Sequence, residues 1–279
     1  MAILLALVSS VLWGTSDFIG GTVSRRLPPA TVLLWATILS LPFLVIVAVA
    51  SGDLEWSSST IGWGIAAGIS GSLGIALLYL GLSTGVMGVV APISSTSVIV
   101  PVLVGFLLGE SVSIVTALGI VVAIAGVVFA GGPHLRDFAT GGHRPVIFAL
   151  GAALGIGFSL AAIARGSEVS SISTLLSMRL TYVIVLVALV GAASTSFRPG
   201  RPSTLWPLLA IGLIDTSANG LYAVASRIGP LVIVAVLASL YPVATLVLAR
   251  RLHGERLSQI QAIGVALAFA GVCAVVGGR

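Results

Sequence analysis

Hydrophobic residues fill this chain in long blocks, with polar residues gathered into short breaks between them. Between Glu55 and Glu110, 54 consecutive residues carry no charge. One crossing of a hydrocarbon layer needs only ~20 apolar residues. The stretch therefore holds two crossings, and Thr84, Gly85 and Gly88 mark the break. Read this way throughout, the pattern predicts spans at about 2–23, 29–50, 61–83, 88–108, 111–131, 145–165, 173–195, 205–226, 230–250 and 257–277. Each is long enough to cross a ~30 Å layer at 1.5 Å per residue. Backbone groups in lipid find no water, so the spans must be helices bonded within themselves. The expected fold class is an all-α integral membrane protein of about ten transmembrane helices.

The connections are short. The longest, Gly132 to Arg144, carries His134, Arg136, Asp137 and His143 and lies at the middle of the chain. Residues 133–144 read as a linker between a five-helix unit at 1–132 and a second at 145–279. The two units repeat one another. Gly109-Glu110-Ser111-Val112-Ser113 aligns with Gly254-Glu255-Arg256-Leu257-Ser258, and residues 109–132 match 254–277 at ten of 24 positions without a gap. Five is odd, so the second unit enters the membrane from the opposite side. An inverted repeat is the geometry expected of a secondary transporter with a site near the midplane.

Composition agrees. The chain is 58% hydrophobic and 8% charged, with mean hydropathy +1.20, where a soluble domain carries roughly 25% charged residues. All 13 basic residues are arginine, which reads as composition bias, and the net charge of +5 sits mostly in loops and helix ends. Such charge orients spans and points to no nucleic-acid partner. The lone Cys273 permits neither a disulfide nor a cysteine metal site within one chain. The apolar N-terminus, without a basic stretch ahead of it, reads as a first span and not as a cleaved signal peptide. Let side A be the side that receives the loop after the first span. Side A collects Arg25, Arg26, Arg136, Arg144, Arg198, Arg201, Arg250, Arg251 and Arg256, and the other side, B, collects Arg165, Arg227 and Arg279. The positive-inside rule then puts side A in the cytoplasm and both termini outside.

The run Ser239-Leu240-Tyr241-Pro242, thirteen residues before Glu255, followed by Gly264 and Ala270-Gly271-Val272, resembles the EamA-domain branch of the drug/metabolite transporter superfamily. Trp13-Gly14 in the first span also fits, and the resemblance covers nearly the whole chain as two repeats. The first repeat departs from the pattern: Ser97 stands where the second has Pro242, and its prolines are Pro92 and Pro101. The resemblance implies a ten-helix carrier of small solutes in the cell membrane, often metabolites or toxic compounds moving outward. It also implies termini inside, against the charge count.

Charged residues inside apolar spans are costly unless paired or hydrated, and so are functional candidates. Asp17 lies past the middle of span 1, on one broad face with Ser10, Trp13 and Ser24. Asp215 lies at the middle of span 8, with Asn219, Tyr222 and Ser226 at helical spacing behind it. This stripe reads either as a lined substrate pathway, with Asp215 taking a cation or proton, or as a polar network holding the helix in place. Arg179 on span 7, with Tyr182 near it, reads either as a site for an anionic substrate or as the neutraliser of an aspartate. Its depth makes a pair with Asp215 geometrically possible, and Asp17 a poorer partner. Span 4 carries Ser94-Ser95-Thr96-Ser97 between Pro92 and Pro101. Prolines free backbone carbonyls, which makes the segment either a simple kink or a hinge beside the pathway. Tyr241-Pro242 holds the related place in span 9, and Tyr79 sits late in span 3. Glu110 and Glu255 each begin a turn before a helix, where a carboxylate suits the helix dipole and a structural role is expected. Gly119, Ala123 and Gly126, with Gly264, Ala268 and Gly271, are small residues that let helices approach closely.

Without lysine there is no nucleotide-binding loop of the Walker type. His134, His143 and His253 are scattered, and no nucleophile–His–acid pattern stands out. The expectation is a cofactor-free secondary transporter, and not an enzyme, that meets a small-molecule substrate, the lipid bilayer and a coupling proton or ion. The alternatives are a membrane-embedded enzyme and a non-transporting scaffold.

Overall fold

The computed structural model describes residues 1–84, 90, 93–130, 143–193, 196–200, 202–253 and 258–278. Among them every regular element is helical: α1 (Ala2–Ser24), α2 (Pro29–Ser51), α3 (Ser58–Thr84), a 3₁₀ turn Thr96–Val98 leading into α4 (Ile99–Leu107), α5 (Ile114–Ala130), α6 (His143–Ser167), α7 (Ser171–Ala192), α8 (Leu205–Ile228), α9 (Leu231–Ala238), α10 (Tyr241–His253) and α11 (Gln259–Gly277). Eight stretches are long and apolar enough to cross a membrane, one of them Leu231–Leu252, which combines α9 with most of α10. Shorter apolar helices, Ile93–Leu107 and Ile114–Ala130, occupy the fourth and fifth places. Eight of the ten expected spans are met by these stretches and the fourth and fifth by the shorter helices, the start of the fourth lying outside the described residues. The ninth is broken at Ser239–Leu240, and the fourth carries the 3₁₀ turn.

The outer surface is apolar: Leu4 and Val11 on α1, Ile46 and Val49 on α2, and Leu118 and Val121 on α5 are all exposed. A belt of this kind suits lipid and not water. The chain is a multi-pass membrane protein. Its helix ends follow local chemistry. Pro28 and Pro29 open α2, and Gly52, at φ 65°, closes it in the left-handed region. Ser170 accepts from the Ser173 N–H to start α7, and Ser258 with Gln261 forms a capping box at α11.

Packing repeats under exchange of the first five spans with the second five. α3 lies on α6 as α8 lies on α1, and α3 lies on α7 as α8 lies on α2. α1 meets α9 and α10 as α6 meets α4 and its 3₁₀ turn, while α5 meets α11, and α2 meets α7. Hydrogen bonds repeat as well. Ser16 Oγ donates to the Ile211 carbonyl at 3.2 Å, and Ser159 Oγ donates to the Ala67 carbonyl at 2.8 Å. This is a two-repeat architecture whose halves are interleaved, because α1, α3 and α5 pack most extensively against the opposite half. The α5–α11 crossing uses the repeated small residues. A Cβ on Gly119 would stand 2.9 Å from the Gly271 carbonyl oxygen, and one on Gly126 2.8 Å from that of Gly264.

Candidate functional site

Between the halves lies a cavity of about 320 Å³, near the lower end of ligand-pocket sizes. α1 lines it from Trp13 to Gly21, α2 from Val32 to Thr37, and α3 from Gly71 to Leu78. In each of these helices that is the half nearer side A. α7 and α8 contribute from around their middles, α6 contributes Ile156 to Ile163, which run from its middle into the half nearer side B, and Tyr241 comes from beside the break between α9 and α10. The cavity thus straddles the midplane, with more of its lining in the half nearer side A. Most of its wall is apolar, with Leu33, Ile75, Ile156 and Ile163 prominent.

Its charges are arranged unequally. Arg179 Nη2 donates to Asp215 Oδ2 at 2.5 Å, and the two side chains are 5% and 32% exposed. The pair allowed by their depths in α7 and α8 is therefore formed. The Arg179 guanidinium also stands 6.0 Å from the centre of the Tyr182 ring, within range of a cation–π contact. Tyr182 fits because Gly71 opposite has no side chain: a Cβ there would run into the tyrosine hydroxyl. Asp17 faces the same cavity, is exposed in it, and has no hydrogen bond or ion pair to a described residue. Trp13 sits 6.4 Å from Tyr241, ring centre to ring centre, nearly edge-on, and 5.6 Å from Tyr222.

Of the pathway residues expected from sequence, Trp13, Asp17, Arg179, Tyr182, Asp215, Asn219 and Tyr241 come together in this cavity. Tyr222 does not line it. Its side chain is fully buried behind Trp13, and its hydroxyl donates to the Leu160 carbonyl at 3.2 Å. Ser226 donates to the Ala223 carbonyl of its own helix. The polar stripe of α8 thus faces the cavity as far as Asn219 and packs against α6 beyond it. Ser95 is buried and lies outside the lining. The Tyr79 side chain lies outside the described residues. Sequence reading missed Ser16, Gly20, Gly21, Thr37, Gly71 and Ser159, all of which line the cavity.

The model of the EamA-like transporter family matches residues 1–132 and again residues 143–277. The chain belongs to this family. The resemblance carried by Ser239-Leu240-Tyr241-Pro242 and by the Glu255–Val272 segment is thereby borne out, and the family points to transport and not to catalysis. A solved crystal structure at 18% sequence identity superposes with a TM-score of 0.82, covering 100% of this chain and 97% of that one, a likeness of fold. No curated protein matches the chain significantly.

In this EamA-like chain Pro101 and Pro242 lie beside breaks in their spans, whereas Pro42 sits inside the unbroken α2. Pro101 cannot donate to the carbonyl of Ser97, and the 3₁₀ turn Thr96–Val98 lies at that point. The Ser97 carbonyl and Val100 approach Gly157 of α6 so closely that a Cβ there would collide with them. Thr96 Oγ1 donates to the Ile93 carbonyl at 2.6 Å, the local satisfaction expected of a hydroxyl cluster. Pro242 stands at the start of α10, just past the Ser239–Leu240 break. There Thr245 Oγ1 donates to both the Tyr241 and Gly14 carbonyls at 3.0 Å, tying the break to α1. Pro92 lies outside the described residues.

Glu110 has a structural partner that its local sequence does not suggest. Its two carboxylate oxygens accept from the N–H groups of Leu231, at 2.6 Å, and Val232, at 2.9 Å. It therefore caps α9, in the opposite repeat, and not the helix that follows it. Side B is also tied by the ion pair between Arg227 and Asp53 at 3.4 Å and by the bond from Ser113 Oγ to the Gly278 carbonyl. Glu255, the repeat equivalent of Glu110, lies outside the described residues.

Proposed function

We propose that this chain is a secondary carrier that exports a small solute across the cytoplasmic membrane by alternating access. The observation that supports this reading best is a cavity at the junction of two interleaved repeats, holding an unpartnered carboxylate and lined more from the half nearer side A than from the other. Two repeats related by exchange can rock about such a site and present it to either face. The broken span 9 and the 3₁₀ turn of span 4 supply places where the helices bend.

Direction follows from charge. Among the described residues, Arg25, Arg26, Arg144, Arg198, Arg250 and Arg251 gather at side A, and Arg165 and Arg227 at side B. Side A is the cytoplasmic side on this reading, and a cavity lined mostly from the half nearer it loads solute for export. Asp17 is the site for a substrate charge or a coupling proton. The test is a set of vesicles reconstituted with the protein and loaded with cell extract. Particular solutes should leave faster than from protein-free vesicles and leave chemically unchanged. Conversion of the solute would point to an enzyme, and no difference in outflow would contradict transport.

A further inference from the structure

The cavity's charges differ in how far they are available to a solute. Arg179 is 4% exposed, its Nη2 is committed to Asp215, and its Nε is buried without a partner. Asp215 keeps 32% of its side chain exposed, and Asp17 is exposed and unpartnered. Two carboxylates thus stand against one guanidinium, and the guanidinium is the most buried of the three groups. An acid without a counter-charge at this depth is costly, and a solute that brings positive charge offsets the cost. Beside Asp17, within electrostatic reach, is Tyr241, which meets Trp13 nearly edge-on. Aromatic rings attract cations as well as apolar groups. The rest of the wall is mostly apolar, with Leu33, Ile75 and Ile156, and adds the uncharged polar groups of Ser16, Thr37, Ser159 and Asn219 but no further charge.

We infer that the transported solute is a monovalent organic ammonium with an apolar or aromatic body, its charge on Asp17 and its body against Trp13 and Tyr241. This rests on the transport reading above. It assigns Arg179 to neutralising Asp215 and not to binding an anion. A carboxylate solute would meet two like charges and a guanidinium already bonded.

The test uses three probes with one aromatic body and different charge: phenethylammonium, phenethyl alcohol and hydrocinnamate. Each is titrated calorimetrically into the purified full-length protein in detergent. Phenethylammonium should bind about ten-fold or more tightly than the alcohol, the worth of a charge-assisted contact, and hydrocinnamate most weakly. Asp17→Asn should reduce the ammonium to the level of the alcohol without lowering the unfolding temperature, because it removes an uncompensated charge. Asp17→Glu should keep the preference. Tightest binding of hydrocinnamate, or unchanged ammonium affinity in folded Asp17→Asn, overturns the inference. If Asp17→Asn fails to fold, the ranking of the three probes on the wild type decides. Equal binding of ammonium and alcohol, or binding of neither, overturns the substrate class. Continued outflow of other solutes from extract-loaded vesicles would then leave the transport reading standing, and its absence would remove both.

Discussion

Breaking the Arg179–Asp215 pair one side at a time should give unequal losses. In Asp215→Asn, a guanidinium whose side chain is 5% exposed keeps its charge and loses its carboxylate, with only the Tyr182 ring beside it. Stranding one partner of a buried pair costs 3–5 kcal/mol, and the open third of Asp215 places this variant at the low end, about 3 kcal/mol. In Arg179→Gln, the charge left behind is the carboxylate that is 32% exposed to the cavity, so the loss should be smaller, about 1–2 kcal/mol. The double variant leaves no stranded charge and should lie within about 1 kcal/mol of the wild type. The coupling energy is then about 3–5 kcal/mol, at or above the upper end for residues in direct contact. Equilibrium unfolding in mixed micelles, followed by circular dichroism, measures all four proteins. A double variant as unstable as the sum of the two singles would show that the residues are not coupled and would refute the reasoning.

Three other expectations follow from the geometry. A Cβ on Gly20 meets nothing within 4 Å, so Gly20→Leu should fold normally and block the cavity. Unchanged phenethylammonium binding in that variant would remove the assignment of this cavity as the binding site. Glu110→Gln should weaken the cap on α9 by about 1–2 kcal/mol, seen as faster amide exchange at Leu231 and Val232; unaltered exchange would contradict the capping role. Pro101→Ala combined with Pro242→Ala should leave the protein inserted and slow its transport, and normal flux at normal expression would reduce these prolines to simple kinks.

The spans and the acids within them were legible because a charge in an apolar helix is rare and its cost is high. Asp17, Arg179 and Asp215 announced themselves in this way, and depth along the helices sufficed to pair the last two. Helical spacing also put Asp215, Asn219, Tyr222 and Ser226 on one face. It could not show that α6 closes over that face beyond Asn219, because the wall is supplied by the Leu160 carbonyl, 62 residues from Tyr222. Glu110 shows the same limit. Local reading assigns its carboxylate to the helix it precedes, while its partners lie 121 and 122 residues away in the other repeat. Ser16, Gly71 and Ser159 gave no signal of their own. Serine and glycine are common in membrane helices, and their importance here lies in what stands opposite: the Ile211 and Ala67 carbonyls and the Tyr182 ring.

On the proposed mechanism one cavity, shared by two rocking repeats, serves both faces of the membrane, and counterflow is its sharpest test. Vesicles holding the protein are loaded with an unlabelled solute that the extract experiment shows to leave, then diluted into a trace of the same solute carrying a label. A carrier that alternates must bring label in as it takes unlabelled solute out, so the label should accumulate transiently above its outside concentration. It should accumulate only when the vesicles are preloaded. Uptake that never exceeds equilibration, whatever the vesicles contain, would describe a pore and contradict the account.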